Sequence, residues 1–334
     1  MPIQVKILSI LLFLFTINCG GNQPIRLSGK TMGTTYQITI INHSNKKVDA
    51  IQLKEKVDSL LTEINNIFST YIETSELTRF NDQLTTMPIN ISSEFAELYQ
   101  KAENISISSN ESFDFTVLPL VNLWGFGAEF TISKIPNNEE IIEILNYSGI
   151  DKLEYENGIL RKLTQHIQID FSAIAKGWGV DQTALLLDEL GFANYMVEIG
   201  GEVIVSGLNN FNSKWTLGLS MPEISVSELY ATMNITDAAV ATSGSYNNYF
   251  TLENIDYSHI IDPKTGYPIR HELVSATIVA SDCATADAIA TGVMVKGFDN
   301  GLRWINTLPG IECLLVKITA SGEYIIGKSS GFNY

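Results

Sequence analysis

Asp287 and Thr291 form the pair of residues whose types and spacing most directly suggest chemistry in this sequence. The surrounding apolar pattern predicts a helix over about 284–296, and residues four positions apart lie on the same face of a helix. A carboxylate beside a hydroxyl suits Mg²⁺, which requires near-octahedral oxygen coordination and completes it with water and phosphate oxygens. The residues alone leave a second interpretation open, in which Asp287 is an exposed carboxylate and Thr291 only packs.

His259 is the second candidate for chemistry, and it lies between a predicted strand and the turn sequence at 262–266. Imidazole titrates near neutral pH without any perturbation, so His259 can take a proton from an attacking hydroxyl. In the alternative interpretation, His259 binds a ligand or orients its loop, and Asp287 or a metal-bound water handles the proton. A purely structural histidine is also consistent with the sequence.

Lys176 precedes Gly177 at the predicted start of a helix over about 175–190. Together with the N–H groups at that helix start, its ammonium can bind an anionic oxygen such as that of a phosphate. A solvated lysine without a ligand is the alternative.

Apolar residues at helical and strand spacing alternate along the chain and predict a mixed α+β fold. Other helices are predicted over about 47–68, 92–106 and 299–307, and one more runs from a capping-box pattern at Asn137 and Glu140 to Gly149. Strands are predicted near 25–42, 152–170 (a hairpin turning at Asn157-Gly158), 194–207, 214–221, 229–242, 248–254, 273–280, 313–319 and 323–326. No linker follows residue 25, so we expect one body or two intimately packed lobes.

Composition excludes several classes of protein. The 334 residues include 37 acidic and 21 basic residues, and the net charge of −16 argues against a nucleic-acid partner, because binding duplex phosphates requires Lys and Arg. The apolar fraction of 45% excludes a disordered or collagen-like chain. Three cysteines are too few for a disulfide scaffold. Of these, Cys283 and Cys313 are expected to be buried small residues, with a disulfide between them as the alternative.

Familiar motifs for nucleotide and metal chemistry are incomplete in the sequence. The segment 28–31 is similar to the end of a phosphate-binding P-loop, but Pro24 stands where the first glycine is required. The glycines at 125 and 127 lack the third glycine of a dinucleotide-binding loop, since position 130 is Phe130. The four histidines and unpaired cysteines do not form a zinc-binding pattern. Chemistry with a hard cation and oxygen ligands remains open.

The N-terminus has the pattern of an export sequence. Residues 7–17 form an apolar run that is too short to span a membrane, and Cys19 follows it as in the acylation site of bacterial lipoproteins. We therefore expect a lipoprotein-type signal peptide at 1–19, a short tether at 20–25 and a single domain at 26–330. The expected location is outside the cytoplasm, as a lipid-anchored protein on the periplasmic face of a bacterial membrane. An uncleaved anchor, or secretion with an incidental Cys19, is the alternative.

Several sequence blocks, in their order and spacing, resemble the ApbE family of FAD:protein FMN transferases, and the resemblance covers residues 26–328. The most distinctive are S-H-I-I-D-P-K-T-G, which contains His259, and F-D-F-T-V-L-P-L-V-N-L-W-G-F-G, which begins at Phe113. Asn247 departs from the family, which often has arginine there. The blocks lie at 31–36, 68–81, 112–127, 170–177, 198–202, 243–250, 258–266 and 286–291.

The resemblance implies a fold of largely antiparallel sheets packed with helices, and it implies the residues of the site. Mg²⁺ would be held by Asp287, Thr291 and a backbone carbonyl placed at Ala173. His259 and Asp287 are the catalytic candidates. For Phe113, core packing is an equal alternative, and Trp124 is expected in the core. The residues implied to hold FAD are Met32, Tyr71, Ser112, Phe113, Asp114, Lys176, His259 and Ile261.

The activity implied by the resemblance is Mg²⁺-dependent transfer of FMN from FAD to a Thr or Ser hydroxyl of a partner protein, with release of AMP. The implied acceptors are proteins such as membrane redox subunits. Two alternatives remain at this stage. One is hydrolysis of FAD to FMN and AMP by the same Mg²⁺-dependent site, and the other is a lipoprotein that binds FAD without catalysis.

Overall fold

The computed structural model describes residues 24–42, 48–127, 135–220, 229–245, 249–252 and 255–333. The predicted signal peptide with Cys19, most of the tether, and Asn247 lie outside the described residues. In the described part of the chain, the helices are each too short or too polar to cross a membrane.

One large sheet organises the fold, with its strands in the order β1-β2-β6-β7-β10-β13-β14-β15 and every neighbouring pair antiparallel. Smaller sheets pair β8 with β9, β11 with β12, and β3 and β4 with β5. The predicted α+β class with largely antiparallel sheets is confirmed. The strands are β1 (Ile25–Thr31), β2 (Thr34–Ile40), β3 (Ile89–Asn90), β4 (Leu153–Glu156), β5 (Ile159–Lys162), β6 (Tyr195–Ile199), β7 (Glu202–Ser206), β8 (Trp215–Ser220), β9 (Leu229–Ile235), β10 (Ala238–Gly244), β11 (Tyr249–Leu252), β12 (Ile255–Ser258), β13 (Leu273–Ala280), β14 (Glu312–Ile318) and β15 (Tyr324–Lys328).

The helices pack on the sheet or around its edges. In the first helix, residues at helical spacing from Leu53 to Phe68 are buried, as its amphipathic pattern requires. Asn137 and Glu140 form the predicted capping box, with both reciprocal hydrogen bonds at 2.9 Å. The helices are α1 (Ala50–Phe68), α2 (Glu76–Asp82), α3 (Ser93–Ser108), α4 (Leu118–Leu123), α5 (Asn138–Leu145), α6 (Ala175–Glu189), α7 (Cys283–Lys296) and α8 (Phe298–Ile305), with a short 3₁₀ helix at Ile150–Lys152.

Three clusters of buried apolar residues hold these elements together. The largest lies between the sheet and the helices, and it includes residues of both α6 and α7. The second contains Trp215 and Met233 of the β8–β9 hairpin with Val279 and Val316 of the large sheet. The third is a smaller core of α4, α5, β11 and β12. Helices α6 and α7 are buried on several faces, which is typical of helices in the interior of a protein.

Some element boundaries differ from the sequence prediction. The predicted strand at 229–242 is two strands, because the chain turns at Asp237, whose φ is +50°. The predicted helix from Asn137 ends at Leu145 rather than Gly149. Elements α2, α4, β3 and β12 were not predicted. The hairpin turn at Asn157-Gly158 is confirmed, with positive φ at both residues as a tight antiparallel turn requires.

Both described cysteines are buried and free. Cys283 lies at the start of α7, and Cys313 lies in β14. The expectation that they are small buried residues rather than a disulfide pair is confirmed.

Candidate active site

The N-terminal turns of α6 and α7 lie directly against each other, and Gly177 is the residue that permits this. A β-carbon added at Gly177 would lie 2.4 Å from the backbone oxygen of Cys283 and 2.7 Å from the α-carbon of Ala284. The amide of Gly177 donates a hydrogen bond of 3.1 Å to Oδ2 of Asp287. The close approach of the two helices therefore fixes the carboxylate of Asp287 against the first turn of α6.

We expect the substitution Gly177→Ala to destabilise the protein by about 1–3 kcal/mol, because backbone atoms of α7 must move to admit the methyl group. Alanine's higher helix propensity will offset only part of this. Leu185→Ala on the same helix is the control, since Leu185 is 52% exposed and its loss should change stability by no more than about 0.5 kcal/mol. Urea unfolding of both variants checks the prediction, and equal stability of G177A and the wild type would contradict it.

Asp181 forms a second link between the two helices. Its carboxylate accepts hydrogen bonds from the amides of Cys283 (2.7 Å) and Ala284 (2.9 Å), the first residues of α7. Asp282 caps the same helix end by accepting from the amide of Thr285 at 2.9 Å. Burial raises the pKa of Asp181 to about 7, although the two N–H donors act in the opposite direction.

This raised pKa predicts a pH dependence of stability. The folded protein binds a proton at Asp181 more tightly than the unfolded chain, whose pKa is near 3.8, so the contribution to stability is complete below pH 3.8 and is lost as pH rises to about 7. Asp181→Asn should therefore flatten the decline of the free energy of unfolding over this range, by up to about 4 kcal/mol. Urea unfolding between pH 4 and 8 measures the slope. The exposed control Asp299→Asn should keep the wild-type slope, and an unchanged slope in D181N would refute the prediction.

Asp287 is one of two buried carboxylates that face Lys176. Nζ of Lys176 contacts Oε1 of Glu202 and lies 3.7 Å from Oδ1 of Asp287. The side chains of both acids are 4% exposed, whereas that of Lys176 is 30% exposed. Glu202 is the first residue of β7, so strand and helix bring together three charged groups far apart in sequence.

The charges of this group depend on each other. Burial alone would lower the pKa of Lys176, but the carboxylates of Asp287 and Glu202 outweigh it and raise the pKa. The pKa of Glu202 is also raised, first by burial and then by the charge of Asp287, with Lys176 opposing both effects. Lys176 therefore stays charged at neutral pH.

Thr291 lies one helical turn after Asp287, as the spacing predicted. Its hydroxyl is 3.3 Å from Oγ of Ser243 in β10. The neighbouring Gly292 packs against Ser112 and Phe113, since a β-carbon built there would lie 3.4 Å from Oγ of Ser112 and 3.3 Å from Cβ of Phe113. Helix α7 and residues 112–113 are therefore in direct contact.

The residues predicted to bind Mg²⁺ offer oxygen atoms that suit a hard cation. In a regular helix the amide of Gly177 would donate to the carbonyl oxygen of Ala173, four residues earlier, but it donates to Asp287 instead. The next amide, of Trp178, follows the regular pattern and donates to the carbonyl oxygen of Ile174 at 3.0 Å. Within the described ranges, no donor reaches the carbonyl of Ala173. No group of three or more His, Cys, Asp or Glu suited to a metal occurs in these ranges either. A carboxylate, a hydroxyl and a carbonyl are ligands that Mg²⁺ accepts alongside water and phosphate.

Met32 connects the β1–β2 turn to α6. A β-carbon at Gly179 would lie 2.8 Å from Cε of Met32, so this side chain covers the helix two residues after Gly177. Residues 30–35 line a shallow cleft that is open to solvent. Gly200, in the β6–β7 turn, has φ +60° and lies against the side chain of Thr34.

His259 and Ile261 lie after β12, beside the third apolar cluster. The rings of His259 and Phe126 are 6.4 Å apart at a steep angle, and His259 is half-buried. Ile261 is 5% exposed and forms a bridge with Pro268. Trp124 is in the core as expected, and its indole N–H donates to the oxygen of Gly266 at 2.8 Å. The 112–127 and 258–266 blocks are therefore held together by direct contact.

The other predicted FAD residues differ in exposure. Tyr71 is 70% exposed, which leaves its ring available for a ligand. Phe113 is 2% exposed in the large core, which favours packing over contact with a flavin. Oδ1 of Asp114 accepts from both the amide and the hydroxyl of Thr116 at 2.7 Å, so this carboxylate orders the turn before α4. No hydrogen bond or ring contact joins Tyr71 to α7 within the residues that the structure describes.

Comparison with known proteins identifies the family. The ApbE family model matches residues 32–315. The chain belongs to the ApbE family. It is 41% identical over 308 residues to the FAD:protein FMN transferase of Vibrio cholerae and 39% identical over 315 residues to that of Haemophilus influenzae, covering 92% of this chain in both cases and 92% and 90% of the relatives.

Solved ApbE structures share the fold. The flavin transferase ApbE from Vibrio cholerae superposes with a TM-score of 0.86 at 38% identity, covering 93% of this chain and 98% of that chain. The apo form of the flavinyl transferase ApbE from Pseudomonas stutzeri gives a TM-score of 0.85 at 30% identity, covering 93% and 96%.

In this ApbE chain, sequence reasoning missed three side chains of the site. The sequence pattern presents Glu202 only as part of a glycine-containing block and assigns no role to Ser243 or Asp181. Glu202 offered one clue, since it is a charged residue at the start of an otherwise apolar strand. The contacts of Asp181 and Ser243 are with residues distant in sequence, so spacing alone gave no indication of them.

Proposed function

We propose that this chain transfers FMN from FAD to a Thr or Ser hydroxyl of an acceptor protein and releases AMP. The observation that carries the proposal is the position of Asp287, which is buried at the junction of α6 and α7 in a chain that belongs to the ApbE family. The relatives named above are FAD:protein FMN transferases and share the fold over nearly the whole chain.

Asp287, Thr291 and the carbonyl of Ala173 would hold Mg²⁺. The support is that the first two lie one turn apart on α7, and that Ala173 precedes by four residues Gly177, whose amide donates to Asp287. When bound there, Mg²⁺ would supply positive charge that stabilises the diphosphate during transfer.

His259 is the group proposed to accept the proton of the attacking hydroxyl. Asp287 is less suited to this role, because its Oδ2 accepts from Gly177 and its Oδ1 faces the ammonium of Lys176. The hydroxyl oxygen forms a bond to the FMN-side phosphorus, and the bond from that phosphorus to the bridging oxygen breaks. The bridging oxygen leaves with AMP, and the proton passes to the imidazole.

The remaining predicted residues are proposed to bind and orient FAD. Met32 lines the cleft beside α6, and Ser112 lies against α7. Tyr71, with its exposed ring, can stack on an aromatic ring system. Asp114 and Ile261 help to fix the loops on which the site depends. Lys176 can bind a phosphate or flavin oxygen once its ammonium leaves its present contact with Glu202 or Asp287.

Incubation with FAD, Mg²⁺ and an acceptor domain tests the proposal directly. We expect a covalent mass gain on the acceptor equal to one FMN phosphoester, with AMP released in equal amount. AMP and free FMN without a labelled acceptor would instead identify a pyrophosphatase, and bound FAD without turnover would identify a binding protein. A control acceptor in which the target hydroxyl residue is replaced by alanine should gain no mass.

We also propose that the protein is exported and anchored to the membrane through Cys19, with membrane redox subunits as its acceptors. The support is the apolar run at 7–17, which is separated from Cys19 only by Asn18. Incorporation of labelled fatty acid by the wild type, and its absence in Cys19→Ala, would bear this out. Labelling of both proteins or of neither would refute it.

A further inference from the structure

Lys176 is placed so that it neutralises the carboxylate proposed to bind a cation. Its Nζ is 3.7 Å from Oδ1 of Asp287, and it also contacts Oε1 of Glu202. Both acids are almost completely buried, so they need a positive partner in the absence of any other cation. Among the residues that the structure describes, Lys176 supplies this positive charge to both acids.

Glu202 depends on the same lysine. Its Oε2 is buried and has no hydrogen-bond partner among the residues that the structure describes. A buried acid with an incomplete set of partners requires a specific explanation. Lys176 contacts the other oxygen, Oε1, so Oε2 is a second acceptor available to the same ammonium when that ammonium moves.

We propose that Lys176 is an internal counter-cation of Asp287, which a divalent cation must displace, and that Glu202 is the positioning residue that retains the displaced ammonium. This inference rests on the proposed function, because it takes Asp287 as a ligand of the cation. It goes beyond that function by assigning a competition between a lysine and a metal ion for one carboxylate.

The geometry permits this exchange of partners. Lys176 is 30% exposed and carries a flexible four-carbon chain, so its ammonium can move within the site. The ammonium of Lys176 and a divalent cation would repel each other if both lay beside Asp287, because charges interact strongly in the low-dielectric interior of a protein. The existing contact with Glu202 keeps the lysine paired as its ammonium moves farther from Asp287, which leaves Asp287 to the divalent ion.

Two substitutions should change cation affinity in opposite directions. Lys176→Met removes the competitor and leaves two buried carboxylates, so Mg²⁺ should bind about tenfold more tightly. Glu202→Gln removes the alternative partner and leaves Lys176 with Asp287 alone, so Mg²⁺ should bind several-fold more weakly. A merely structural role for either residue would weaken binding in both variants.

The experiment is calorimetric titration of the full chain with MgCl₂ at constant pH and without FAD. Lys176→Arg preserves the charge and should stay near the wild-type affinity, and Glu202→Asp should restore most of the affinity lost in E202Q. Lys101→Met is the matched control, because Lys101 pairs with Asp282 at 3.0 Å with similar exposure and does not face Asp287. Circular dichroism checks that each variant folds. If E202Q does not fold, the titrations of K176M and E202D test the proposal in its place.

Failure of this inference can be told apart from failure of the proposed function. Unchanged or weaker binding in K176M, with wild-type binding that is lost in Asp287→Asn, would overturn the competition alone. Undiminished binding in D287N would overturn the assignment of Asp287 as a ligand, and with it the metal site of the proposed function.

Discussion

Asp287→Ala is expected to reduce Mg²⁺-dependent FMN transfer by about 10³-fold or more. The substitution removes the only carboxylate among the proposed ligands, and catalysis of phosphoryl transfer depends mainly on positioning and charge neutralisation. It also removes the acceptor of the Gly177 amide, so the two helices lose one of their links. The initial rate of acceptor labelling with FAD, measured over a range of Mg²⁺ concentrations, tests this expectation.

The appropriate control is Asp299→Ala, which removes an exposed acid in the first turn of α8. It should label the acceptor at the wild-type rate and unfold at the wild-type urea concentration. Unfolding curves of D287A separate a loss of chemistry from a loss of structure. Transfer by folded D287A at a rate within a few-fold of the wild type would rule out its role as a ligand.

His259→Asn should lower kcat by about 10²–10⁴-fold and leave the affinity for FAD within a few-fold of the wild type. Asparagine retains polar contacts but cannot accept the hydroxyl proton, and general-base catalysis contributes a factor of this size. The two quantities are obtained from single-turnover labelling and from quenching of flavin fluorescence.

His166→Asn provides the control for this substitution, because His166 is exposed, hydrogen-bonds to the neighbouring side chain of Gln165 and contacts the ring of Tyr147, away from the proposed site residues. It should leave both kcat and FAD affinity unchanged. A large loss of FAD affinity in H259N with normal single-turnover chemistry would instead assign His259 to binding. Asp287 or a water molecule would then have to take the proton.

Local patterns in the sequence were sufficient for much of the fold. Asp287 and Thr291 lie on one face of α7 because four-residue spacing defines neighbours on any helix. The capping box at Asn137 was predictable for the same reason, since both of its partners lie within one turn. Helix α4 was not predicted because Pro119 suggests a break, although proline is well tolerated in the first turn of a helix.

The remaining features depend on contacts between distant segments. Lys176 and Glu202 meet because α6 packs beside β7, and neither residue carries information about the other. The same is true of Gly177 and Cys283, whose contact requires α6 and α7 to cross at their first turns. The order of the large sheet, with β10 between β7 and β13, also follows from packing rather than from local pattern.

The two acids at the start of α7 limit what that end of the helix can bind. A helix carries a partial positive charge at its N-terminus, which usually attracts anions through its dipole. In α7 that end is already occupied by Asp181 and Asp282, which accept the amides of Cys283, Ala284 and Thr285. The next amide, of Ala286, donates to the carbonyl oxygen of Asp282. The amides of the first turn of α7 are therefore already engaged within the protein and are not available to bind a phosphate.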